Sequence, residues 1–188
     1  MKVIYIDTET TGLKPRHLFH EIIEIAIIVE INGIRTSDFH TKIKPMNIDR
    51  ANPKALEING YNQKEWDISP TFEKIASKIS DIFKDVDIII GHNVKFDVEF
   101  INEHFISLGM APIRPKQIDT ITIAYEHLVP IGLKSVSMDS IRAFLKWDTE
   151  NAHTAMKDVE DVFRLWHYTN RMTPWKRFFL HCKRYFNR

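Results

Sequence analysis

Three apolar runs, at residues 3–6, 22–29 and 87–91, are short and nearly continuous, the pattern of strands buried on both faces of a sheet. Residues 34–43 form a fourth extended stretch, and Asn32-Gly33 between the second and the fourth is the strongest two-residue hairpin signal. The first three strands in chain order are therefore expected to lie side by side and mainly antiparallel. Ser69-Pro70 predicts a helix start, serine as N-cap and proline at the first helical position, with Phe72, Ile75, Ile79 and Phe83 following at helical spacing. Residues 94–108 predict a second long helix, carrying Phe96, Phe100, Ile101, Phe105 and Leu108 and stopped by Gly109. A short strand near residues 118–121 precedes helices near 121–128, 135–146 and 154–169. Strands that first meander and then alternate with helices give an α/β fold, a mixed five-stranded sheet flanked by helices.

Polar residues interrupt this pattern at chemically pointed places. Asp7 and Glu9 follow the first apolar run two positions apart, so on an extended strand they share one face about 6.6 Å apart. Asp97 lies near the start of the helix after Gly91, just beyond a strand's carboxyl end, where α/β sheets place their sites. His153 and Asp158 are five residues apart, which on one helix would point them apart. They can approach one centre only if His153 lies in the loop before the helix and Asp158 one turn inside it. Four carboxylates converging from three segments make sense chiefly as a cage for hard divalent cations. Oxygen ligands favour Mg²⁺ or Mn²⁺, and two such ions would clamp a phosphate for hydrolysis. His153 is then the candidate general base for the attacking water.

The motifs carrying these residues resemble a known family. Ile4-Tyr-Ile-Asp7-Thr-Glu9-Thr-Thr-Gly-Leu13, Gly91-His-Asn-Val-Lys-Phe-Asp97 and Ala152-His153-Thr-Ala-Met-Lys-Asp158 are similar, in order and spacing, to the three motifs of the DnaQ-like 3′→5′ exonucleases of the DEDDh subgroup. That subgroup includes the proofreading subunits of DNA polymerases. The resemblance implies a ribonuclease H-like fold, two Mg²⁺ or Mn²⁺ ions on Asp7, Glu9, Asp97 and Asp158, and His153 as base. It implies release of 5′-mononucleotides from a 3′ end, with Thr10, Thr11, Gly12 and Leu13 beside the terminal nucleotide. His92 and Asn93 would hydrogen-bond to the last nucleotides, and Phe96 would stack there or fill the core. One departure is Asn59-Gly60-Tyr61, which stands where the family's active-site wall more often has His-Gly-Ile. Glu24, where related chains often carry an acid, is equally explained by an exposed strand face.

Length and charge complete the expectation. With 188 residues, 44% of them hydrophobic, the chain can bury one substantial core, read as an exonuclease domain over residues 1–170 and a basic, aromatic tail over 171–188. That tail holds six basic residues and no acidic one, leaving 20 basic against 25 acidic in the body. Such a tail would track a nucleic-acid backbone and stack on bases, or form an amphipathic helix for another surface. Cys182 is the single cysteine, which excludes an intramolecular disulfide and a cysteine-based zinc site. No signal-peptide core and no membrane-length apolar run is visible, so a cytoplasmic protein is expected. The leading function is a metal-dependent 3′→5′ exonuclease on single-stranded or frayed DNA, free-standing or partnering a DNA polymerase subunit. An exoribonuclease of the same fold and a noncatalytic nucleic-acid or polymerase-binding module stay open, as does the oligomeric state.

Overall fold

A computed structural model describes residues 1–171, so the tail over 171–188 lies, apart from Arg171, outside the described residues. Strands β1 (Lys2–Thr10), β2 (Ile22–Ile31) and β3 (Ile34–Lys42) are followed by the short helices α1 (Pro53–Ile58) and α2 (Gln63–Asp67). Next come α3 (Phe72–Ile82), β4 (Ile88–Gly91), α4 (Val94–Ser107) and β5 (Lys116–Asp119), then α5 (Thr120–His127), α6 (Met138–Leu145) and α7 (Ala155–Asn170). The five strands form one sheet in the order β3-β2-β1-β4-β5. β1, β2 and β3 are antiparallel neighbours, while β4 and β5 run parallel to β1. The Asn32-Gly33 turn has φ of 51° and 83°, the left-handed pair that matches the twist of a tight hairpin.

Strand alternation decides which chemistry faces which layer. Val3 and Tyr5 pack with Ala26, Ile28 and Ile90 against Ile141 of α6 and Val159, Val162 and Leu165 of α7. Ile4 and Ile6 join Ile25, Ile27 and Ile89 against Phe72 and Ile79 of α3 and Phe100, Ile101 and Phe105 of α4. With a side-chain period of two, Asp7 and Glu9 continue the row of Val3 and Tyr5 toward α7. Thr8 continues the opposite row toward α4. The β1–β2 register shifts between Glu9 and Thr10, a bulge that re-aims the residues beyond it.

Three expectations need correction. α3 begins at Phe72 with Thr71 as N-cap, not at Ser69-Pro70, because α2 intervenes and the Ser69 hydroxyl donates to the Glu65 carbonyl at 3.0 Å. α6 starts at Met138, capped by the Ser137 side chain, so residues 135–137 lead into the helix. Glu24 is not on an exposed face: it is 2% exposed and its carboxylate pairs with His40 Nε2 at 2.7 Å.

Candidate metal centre and substrate cleft

Asp7 and Glu9 rise from β1 toward the first turn of α7, where Asp158 projects back at them. One carboxylate oxygen from each of Asp7, Glu9 and Asp158 lies within 4.8 Å of the others. The conformation expected of the third motif is present: His153 has φ of 65° in the loop, Thr154 caps α7, and Asp158 stands one turn inside. Asp97, on the first turn of α4, is buried and accepts a 2.7 Å hydrogen bond from the Thr8 hydroxyl. The strand parity explains this split, since Thr8 faces α4 while its two acidic neighbours face α7.

The electrostatics of the cluster are those of crowded, buried carboxylates. Burial first, and then the charges of Asp97, Asp158, Glu9 and Glu24, hold the Asp7 carboxyl well above the usual carboxylate range. Burial, then Asp158, Glu24 and Asp97, push Glu9 up to about 8. Burial pushes Asp97 to about 7 against the opposing Thr8 hydrogen bond. It also raises Asp158, opposed by Arg142. Carboxylates crowded this closely are relieved by a cation, and an all-oxygen donor set suits a hard divalent ion. The residues therefore fit the metal their motifs implied.

A stability consequence follows with a definite sign. These acids have folded-state pKa values above their unfolded ones, so the folded chain keeps protons that the unfolded chain has released. Their contribution to metal-free stability is fully present below about pH 4 and is lost as pH rises through the shifted values, about 8 for Glu9. Melts of the EDTA-treated chain are expected to give a lower Tm at about pH 8.5 than at about pH 5, with Mg²⁺ restoring more at the higher pH. Equal melting temperatures with no effect of Mg²⁺ would contradict the picture of mutually repelling carboxylates.

His153 presents an exposed imidazole whose Nε2 is 3.8 Å from Asp139 Oδ2, while its backbone N–H points at Asp158 Oδ1 at 3.4 Å. His153 and Asp158 are thus tied together by one short loop. Two further side chains stand at the site, one that the sequence explained equally as an exposed strand residue and one that it did not single out. Glu24 sits opposite Glu9 in the β1–β2 register, close enough to raise both Glu9 and Asp7. Arg142, 0% exposed, reaches Asp158 and Asp161 from α6. A charge inside the apolar stripe of Met138, Ile141 and Leu145 was the available signal for it.

Beyond the acids, β1 runs into a pinned lip. The Thr10 hydroxyl donates to the Gly12 carbonyl at 2.7 Å. Thr11 is fully buried, its N–H bonded to the Glu21 carbonyl and its hydroxyl accepting from the Glu21 N–H, both at 2.9 Å. A Cβ on Gly12 would lie 2.5 Å from the His20 ring, so only glycine lets the chain pass there. Leu13 is 78% exposed, which sets aside ordinary core packing for it. α1 forms a wall beside this lip: Asn52 N–H donates to the Thr11 carbonyl at 2.8 Å and Asn59 Nδ2 to the Thr10 carbonyl at 3.1 Å. The Glu21 carboxylate accepts the N–H groups of Met46 and Asn47, which fixes the loop leading to that wall.

The second motif is divided between exposed and structural positions. His92 is partly buried, its Nδ1 paired with Thr120 Oγ1 at 3.0 Å. Asn93 is exposed and left-handed, with φ of 67°, and its N–H donates to Asp119 at 3.0 Å. Phe96 packs on Phe100 with ring centroids 4.7 Å apart and borders the α3–α4 core.

Comparisons with known proteins agree with this geometry. The exonuclease family model matches residues 4–165. DNA polymerase III subunit epsilon of Buchnera aphidicola subsp. Schizaphis graminum is 40% identical over 174 residues, covering 87% of this chain and 71% of that one. The subunit of the same name from Rickettsia felis is 34% identical over 167 residues, covering 85% and 69%. Among solved structures, E. coli exonuclease I in complex with a dA16 oligonucleotide superposes with a TM-score of 0.79 at 21% identity over 95% of this chain. The chain spans 42% of that exonuclease I chain, so this likeness speaks for the fold, which is the ribonuclease H-like arrangement. A zinc-bound form of E. coli exonuclease I with single-stranded DNA is similar at a TM-score of 0.76 and 21% identity, over 89% of this chain and 40% of that one.

Proposed function

Because this chain belongs to the exonuclease family, we propose that it removes 5′-mononucleotides one at a time from the 3′ end of single-stranded or frayed DNA. The observation that carries the reading is the meeting of Asp7, Glu9 and Asp158, one oxygen of each within 4.8 Å of the others, beside the Thr10 to Leu13 lip. Asp7, Glu9 and Asp158, with Asp97 adjacent, would hold two Mg²⁺ or Mn²⁺ ions. Bound there, the ions neutralise phosphate charge and lower the pKa of a bound water.

The chain's own residues position and shuttle. The lip of Thr10, Thr11 and Gly12, with the exposed Leu13, receives the terminal nucleotide, and the α1 wall limits the cleft to a chain end. His92, Asn93 and Phe96 border the path of the preceding nucleotide. His153 accepts a proton from water as the water oxygen bonds to phosphorus. The phosphorus–O3′ bond then breaks and O3′ takes a proton from solvent, leaving a 5′-mononucleotide and a shortened strand with a 3′ hydroxyl. An exposed, backbone-fixed imidazole suits that task because it can return its proton to solvent after each turnover.

The relatives are named as subunits of a DNA polymerase, so a polymerase partner and a proofreading role in the cytoplasm belong to the same proposal. No helix among the described residues is long and apolar enough to cross a membrane. The test uses matched 5′-labelled single-stranded DNA and RNA with Mg²⁺, Mn²⁺ or EDTA. A metal-dependent ladder shortening from the 3′ end, faster on DNA, is expected. Faster loss of RNA would turn the reading to an exoribonuclease, and intact label in every lane would overturn it.

A further inference from the structure

Arg142 is a fully buried cation that the cleavage chemistry does not itself require. It is 0% exposed, and its guanidinium meets three carboxylates: Asp161 at 2.8 Å from Nε, Asp139 at 2.9 Å from Nη1, and Asp158 from Nη2. A buried guanidinium needs a partner, and Asp161, itself 1% exposed, already supplies one. Asp161 is held from its other side by Lys157 Nζ at 3.4 Å, so the pair is anchored on α7. Asp158 and Asp161 are three residues apart on one face of that helix. The planar fork of an arginine can bridge two such carboxylates at a fixed separation, which the point charge of a lysine cannot do.

We propose that Arg142 is a positioning residue for the carboxylate cage: it uses the anchored Asp161 as a base from which to fix the side chain of Asp158. Both bonds to Asp158, from Arg142 Nη2 and from the His153 N–H, converge on Oδ1, so that Oδ2 is the oxygen that would serve a cation. Asp158 is the ligand that needs such a device. Asp7 and Glu9 are carried on a central strand and paired there with Ala26 and Glu24 of β2, whereas Asp158 stands at a helix end after a loop with two left-handed residues, Asn151 and His153. The proposal rests on the metal-binding reading above and adds to it the side chain that preorganises the third ligand.

Positioning and charge predict opposite outcomes. If Arg142 acted only through its charge, removing it would tighten cation binding, because a positive neighbour opposes a cation. If it acts by orientation, removing it loosens binding by about 10- to 100-fold, the usual cost of losing a partner behind a metal ligand. The experiment is calorimetric titration of Mn²⁺ into the wild-type chain, Arg142→Lys, and the double variant Arg142→Met/Asp161→Leu. The double variant replaces the buried ion pair by apolar side chains, so that neither Arg142 nor Asp161 is left as an unpaired charge in the core. Mn²⁺ affinity is expected to fall about 10- to 100-fold in Arg142→Lys, with a similar fall in the double variant and a cooperative melt retained by both metal-free chains. Wild-type affinity, or tighter binding, in Arg142→Lys overturns the positioning role even if the double variant is weakened. Absence of Mn²⁺ binding in the wild-type chain overturns the metal-binding reading instead, and the inference with it.

Discussion

Asp7→Asn is expected to abolish cleavage while making the metal-free chain more stable. The asparagine keeps the shape of the side chain and one oxygen, but removes the charge that burial and four neighbouring carboxylates oppose. A bound divalent ion supplies several kcal/mol of transition-state stabilisation. At 1.4 kcal/mol for each tenfold, losing one of the proposed ligands should lower the rate by about 10³-fold or more. Relief of the same repulsion should raise metal-free stability by about 1 kcal/mol, a rise in Tm of about 2–4 °C for a chain of this size. The measurement is a single-turnover assay on 5′-labelled DNA beside a melt in EDTA. A variant both inactive and less stable would make Asp7 a structural residue.

The second large effect is at His153. His153→Asn removes the proton-accepting imidazole but tolerates the left-handed φ of 65° at this position, which alanine would strain. Loss of the proposed general base should slow cleavage by about 10²- to 10⁴-fold. The imidazole is exposed and takes no part in either core cluster, so Tm should stay the same, and affinity for a single-stranded oligonucleotide in Ca²⁺ should change by less than about 3-fold. A rate within about 3-fold of wild type would assign the proton to another acceptor. A collapse in oligonucleotide affinity would make His153 a binding residue.

The sheet was legible in the sequence because strands buried on both faces leave nearly unbroken apolar runs, and because Asn32-Gly33 has few alternatives to a tight hairpin. The three motif segments were legible for a related reason. Asp7 and Glu9 share a strand face by period, and the misfit of His153 and Asp158 on one helix required the loop that the structure contains. The start of α3 was misplaced since serine and proline mark several kinds of chain reversal, and the short α2 had no apolar periodicity of its own. Glu24 was misread because its burial depends on β3, which brings His40 to its carboxylate. Arg142 and Asp161 could be paired only in three dimensions, their helices being separated by a long loop. Local pattern therefore located the acids, while the contacts that tune them are tertiary.

The central claim is that Asp7, Glu9 and Asp158 are the cation ligands, and the most direct measurement is anomalous diffraction from crystals soaked in Mn²⁺. The account predicts Mn²⁺ density at the carboxyl end of β1, at about 2.1 Å from carboxylate oxygens of Asp7, Glu9 and Asp158. Mn²⁺ bound elsewhere with that cluster empty, in crystals of a chain that still cleaves DNA, would contradict it.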